Sequence, residues 1–204
     1  MITKEQILQI LATCVRVGNH NVKAMMLLCL NTGAQNIDCA TLLIGDIDWG
    51  EGIWQQKRRK TGGDRKMVLW SRTVDALREQ VRENYEENPE TLPGEYAVFL
   101  NRYKKPYSID QHKTIGGAFK RVVEKTRGLE MPSGFGLQWL RHFFATAGNS
   151  IDREATQISM GHVHNAATID EFYVHSYSTK RLRKLAKKLE KNLFEEISTL
   201  KESF

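Results

Sequence analysis

Apolar residues recur every three or four positions through most of this chain, the spacing that gathers them on one face of a helix. Ile7, Ile10, Leu11, Cys14 and Val15 form the first such stripe. Thr3 and Gln6 stand before it in the relation of a capping box, and Gly18-Asn19 closes it. Residues 22–30 (VKAMMLLCL) are apolar almost all round, which predicts a helix at the centre of the core. Three further stripes predict helices: Val74, Leu77, Val81 and Tyr85 over 71–87, Ile115, Phe119, Val122 and Val123 behind Ser108, and Leu140, Phe143, Phe144 and Ala147 over 139–147. A helix over about 154–160 ends at Gly161, and Ala167, Ile169 and Phe172 mark a third amphipathic piece. Leu182, Leu185, Leu189, Leu193, Ile197 and Leu200 run as a seam over 180–200, basic in its first half and acidic in its second.

The pattern changes to alternation over 44–49, 53–57 and 65–70, which predicts a small antiparallel sheet of three strands. Thr61-Gly62-Gly63-Asp64 is a turn by composition. Residues 97–100 predict one more short strand, and 88–95 and 128–136 read as loops. The expected fold is mainly α with a small antiparallel β-sheet (α+β), in a single domain over 1–204.

With 204 residues and a formal net charge of +6, the chain favours a polyanionic partner. No apolar run approaches the roughly 20 residues that span a bilayer, so a membrane is not expected. Cys14, Cys29 and Cys39 lie in apolar helical settings without CxxC or histidine spacing. They read as buried free thiols of a reducing cytoplasm, and neither a metal nor a cofactor is implied.

The chemistry concentrates in residues 137–173, LQWLRHFFATAGNSIDREATQISMGHVHNAATIDEFY. Gln138 and Arg141 lie three apart on the flank of a helical stripe and can address one object. Arginine suits a phosphate, which it grips with two parallel hydrogen bonds. His162 follows a helix-ending glycine, where it can donate to an oxyanion. The Tyr173 hydroxyl becomes a plausible nucleophile toward phosphorus if cations lower its pKa. Taken singly, each has a blander account: a paired surface arginine, a helix stop, a core tyrosine.

In this order, the residues resemble the second half of the catalytic domain of tyrosine recombinases, the phage integrase family. Its H-x-x-R-H pattern is met by Gln138, Arg141 and His142, its G-H pair by Gly161-His162, and its nucleophile by Tyr173, better placed than Tyr177. The T-G-x-R-x-x-E motif is met by Thr32 and Gly33, with Gln35 in place of the first arginine and Asp38 in place of the acid. KTGGDR resembles the family's lysine hairpin, with Lys60 as general acid to a leaving 5′ hydroxyl and Arg58, Arg59 and Arg65 beside it.

The resemblance implies a DNA breaking and rejoining fold and a metal-free transesterification through a 3′-phosphotyrosine. It implies double-stranded DNA as partner, a homo-oligomer (tetramer) on DNA, and a prokaryotic or phage protein of the cytoplasm and nucleoid. It also implies that the family's N-terminal DNA-clamping domain is absent from this chain, and that the helix over 180–200 docks on a neighbouring protomer. Arg58, Arg59, Arg65, Lys104 and Lys105 are candidate DNA contacts. With Gln35 and Gln138 lacking the family's charge and proton donor, slow or lost cleavage is expected. The alternatives are a DNA-binding protein on the same fold without strand exchange, and an unrelated basic helical protein.

Overall fold

The computed structural model describes residues 2–57, 64–107, 112–132, 134–161 and 170–195. Seven helices and a three-stranded sheet are described: α1 Lys4–Arg16, α2 His20–Thr32, α3 Asn36–Ala40, β1 Ile47–Asp48, β2 Ile53–Lys57, β3 Asp64–Val68, α4 Ser71–Tyr85, α5 His112–Glu124, α6 Gln138–Met160 and α7 Asp170–Phe194. The fold is thus mainly α with a small antiparallel sheet of order β1-β2-β3. Trp54 faces Met67 across β2 and β3, and both are buried.

α2 is the axis of the core. From Ala24 to Thr32 every side chain is buried, and α1, α4 and α6 pack around it. Full burial of each Leu or Met there contributes about 1.5–3 kcal/mol. The Asn19 side chain caps α2 by accepting from the Val22 N–H at 3.0 Å, a start that the sequence reading assigned to the end of α1. The Thr3–Gln6 capping box of α1 forms as expected.

Asn31, buried on α2, donates to the Val68 carbonyl at 2.9 Å and accepts from the Trp70 N–H at 2.6 Å. One side chain therefore satisfies two backbone groups where β3 leaves the sheet for α4.

Two sequence expectations change. Residues 44–46 form a 3-10 turn instead of strand, because the Asp46 carboxylate accepts the Leu43 N–H at 3.0 Å and offers the backbone a local alternative to a ladder. Because that turn ends the extended stretch at Leu43, residues 97–100 make isolated bridges, Leu43 with Ala97 and Leu100 with Pro106. Residues 36–40, for which the pattern predicts no element, are α3. The helix start assigned to Ser108 lies outside the described residues.

α6 is two helices joined at Asp152, whose φ of −161° and ψ of 98° interrupt the helix. Asp152 Oδ1 accepts the Ala155 N–H at 3.1 Å and starts the second piece. The seam of α7 is buried through Leu182, Leu185, Leu189 and Leu193 against its own chain. Trp70 Nε1 donates to the Ala186 carbonyl at 2.8 Å, and Arg72 pairs with Glu190. Up to Phe194, then, the helix expected to dock on a neighbour packs in cis. Among the described residues no helix is long and apolar enough to cross a membrane.

Candidate active site

The site is built around the glycine that ends α2. Gly33 has φ +69°, a conformation that glycine adopts without the penalty of a side chain. A Cβ there would lie 2.6 Å from Phe144 Cδ1, so glycine also permits the close approach of α6. That approach brings Arg141, one turn before Phe144, to the Gly33 carbonyl, which accepts from Nη1. Arg141 is 7% exposed.

Two residues on, Gln35 opens α3 in extended conformation, with its side chain exposed. Its backbone N–H donates to Asp38 Oδ2 at 2.8 Å. The same oxygen pairs with Arg65 Nη1 at 2.9 Å. Arg65 Nε then donates to the Ser159 carbonyl at 3.1 Å, in the last turn of α6. Gly161, at φ +67°, ends that helix. Hydrogen bonds and short stretches of chain thus link Arg141, Gly33, Gln35, Asp38, Arg65 and Ser159, which come from four places in the sequence.

Arg141 and Gln35 therefore share one turn. Gln138 is exposed in the first turn of α6, one turn before the buried Arg141. Arg65, expected beside Arg58 and Arg59 on a basic surface, is 3% exposed and turned inward, because the Asp38 carboxylate lies on that side of β3. Lys60, Arg58, Arg59 and His162 lie outside the described residues. The backbone of Tyr173 lies in the first turn of α7. Lys104 and Lys105 are exposed in the turn between Leu100 and Pro106, where Lys104 Nζ donates to the Glu83 carbonyl at 2.8 Å.

Two side chains act as anchors, of which the sequence names only the first, as the acid of its motif and without its contacts. Asp38 stands three residues after Gln35, the spacing of an acid that closes back on a helix start, and this signal was available. The other is Arg181 on α7, which pairs with Asp152 at 2.6 Å and with Glu154. Burial pushes the Asp152 carboxyl up, but the Arg181 hydrogen bond and charge and the Ala155 N–H outweigh it, leaving its pKa below the usual carboxylate range. The helix carrying Tyr173 is pinned by this pair about two turns further on, at the break in α6.

The cysteines are buried free thiols. The neighbouring Cys29 thiol and burial push Cys39 up, and burial pushes Cys14 up to about 12, so neither presents a thiolate at neutral pH. Among the described residues no three His, Cys, Asp or Glu side chains gather as metal ligands.

The fold is shared with solved structures. XerA recombinase aligns with a TM-score of 0.65 at 18% identity, over 88% of this chain and 64% of that one. The integrase from mycobacterium phage Brujita aligns with a TM-score of 0.63 at 16% identity, over 91% of this chain and 56% of that one. A lambda integrase tetramer bound to a Holliday junction aligns with a TM-score of 0.59 at 18% identity, over 81% of this chain and 46% of that one. The chain thus spans less than two thirds of the length of these proteins. A search of curated proteins returned no match. The model of the phage integrase family matches residues 1–180, most of the chain, and the chain belongs to that family.

Proposed function

We propose that this chain acts in site-specific recombination of duplex DNA, through attack of Tyr173 on a backbone phosphate. The Tyr173 hydroxyl gives up its proton to solvent as its oxygen forms a bond to phosphorus, the bond to the 5′ oxygen breaks, and Lys60 supplies the proton that the leaving 5′ hydroxyl needs. Arg141 clamps the phosphate and His162 donates to its oxygens. The observation that carries this reading is the buried Arg141 guanidinium held by the Gly33 carbonyl, on the turn that also opens with Gln35. A buried arginine aimed by a main-chain carbonyl is preorganised for an anion and needs little rearrangement when charge develops on phosphorus. Neither Gln35 nor Gln138 brings a charge or a transferable proton. Loss of one such donor costs on the order of 10²–10³ in rate, so strand cleavage is slow. Like the lambda integrase tetramer on its Holliday junction, the chain assembles on DNA as a tetramer.

A second reading is favoured by the exposure of Gln35 and Gln138: a protein that occupies DNA without cutting it. Nicked duplexes of randomised sequence separate the two, because the cleaved fragment diffuses away and a covalent adduct accumulates. The expected result is a slow adduct that Tyr173→Phe abolishes and Gln35→Arg accelerates. An adduct that survives Tyr173→Phe refutes the assignment of the nucleophile. No adduct from the wild type or from the Gln35→Arg/Gln138→His variant, with salt-dependent duplex binding retained, favours the second reading.

A further inference from the structure

Arg65 is not the acid, nucleophile or phosphate clamp of the reading above, yet it is more deeply buried than Arg141. Its Nη1 lies 2.9 Å from Asp38 Oδ2, its Nε 3.1 Å from the Ser159 carbonyl oxygen, and its guanidinium 5.5 Å from the centre of the Trp54 ring. Nη2 is buried without a protein partner. A buried ion pair rarely stabilises a core more than well-packed apolar residues would, and an unmet donor makes it worse. Stability alone is therefore a poor reason to keep an arginine here.

What the guanidinium does provide is a rigid fork. Two of its edges are fixed on two segments: Asp38, whose same oxygen holds the Gln35 N–H, and Ser159, two residues before Gly161. Lysine, a compact charge whose three donors turn freely on a flexible stem, does not fix two such partners in one rigid geometry. We propose that Arg65 is a positioning residue, which sets the separation between the Gln35 turn and the end of α6 so that groups on both sides meet one phosphate. The phosphate part rests on the recombination reading; the brace itself does not.

The test compares Arg65→Lys, Arg65→Met and the paired Asp38→Asn/Arg65→Met, which leaves no uncompensated charge, in the full chain. Amide hydrogen exchange at Gln35 reads the brace without any cleavage. It is expected to quicken at least tenfold in Arg65→Met, while the slowest amides of α2 keep their rates. On the nicked duplexes, the adduct rate at saturating protein is expected to fall on the order of 10²-fold in both Met variants. Duplex affinity changes less than threefold, and Arg65→Lys recovers part of the rate. A merely structural role predicts instead that binding and cleavage fall together with the folded fraction, and that result overturns the proposal. Unchanged exchange at Gln35 also overturns it. Absence of wild-type adduct refutes the cleavage reading, and the exchange measurement then decides the brace alone.

Discussion

Replacing Gly33 by alanine tests whether the approach of α6 to the end of α2 sets the geometry around Arg141. Two costs add at this position. The backbone sits at φ +69°, and forcing a residue with a Cβ into the left-handed region costs about 1–2 kcal/mol. The new Cβ would also lie 2.6 Å from Phe144 Cδ1, and Phe144 is 1% exposed, so the ring has little room to yield. Overpacking of this kind costs typically about 1–3 kcal/mol. The expected loss is therefore about 2–5 kcal/mol, large against the roughly 5–15 kcal/mol of a typical domain. Gly18 supplies an internal control, because it has φ +63° with nothing within 4 Å of its ideal Cβ. Gly18→Ala should show the backbone cost alone. Urea unfolding of both variants, compared at equal slope, measures the clash as their difference. Adding Phe144→Leu to Gly33→Ala should recover the packing part and leave the backbone part. Equal losses for Gly18→Ala and Gly33→Ala would show that α6 does not press on this turn, and the account of how Arg141 is aimed would fail with it.

Asn31→Leu should cost about 2–6 kcal/mol in urea unfolding, since the Val68 carbonyl and Trp70 N–H both lose their buried partner, at about 1–3 kcal/mol each. Arg181→Gln should lower stability at neutral pH by an amount that vanishes in acid. The Asp152 carboxyl is held below its ordinary pKa in the folded state, so its contribution is complete above the unfolded value near 4 and is lost as pH falls through the folded one. A wild-type minus variant difference that persists well below that range would exclude the pair as its source. Lys104→Ala/Lys105→Ala should lower the slope of log K for duplex binding against log salt by roughly 1–2, with little dependence on sequence. An unchanged slope would remove this turn from the DNA contacts.

The helices were legible because each buries a stripe against one core, and a stripe repeats every three or four residues whatever its partner. The break in α6 was legible as a gap between the stripes over 139–147 and 154–160, but the Asp152 cap was not, because its partner Arg181 arrives from α7, far along the chain. The further short strand expected at 97–100 is reduced to bridges for a similar reason. Asp46 folds back on Leu43 and ends the extended stretch there, which alternation of residues cannot reveal. Of the site, Arg141, Gly33 and the Gln35 position were readable from motif order. The inward turn of Arg65 was not, since a basic hairpin strand reads as surface until the carboxylate of Asp38 is known to lie behind it.

That carboxylate also explains how the turn survives without an arginine at position 35. Asp38 accepts the backbone N–H of Gln35, not its side chain, and its charge is met by Arg65. The Gln35 side chain is exposed and adds nothing to the capping of α3. Position 35 is therefore structurally open, and Gln35→Arg should leave the unfolding midpoint within about 0.5 kcal/mol of the wild type, as an exposed substitution does. Any change in adduct rate it causes then reports on chemistry at the phosphate alone. A rate gain of 10²-fold or more with unchanged stability is the outcome expected of a restored charge beside Arg141. A shift in stability as large as that of Gly33→Ala would mean that the turn senses the side chain after all, and that Asp38 and Arg65 do not hold it by themselves.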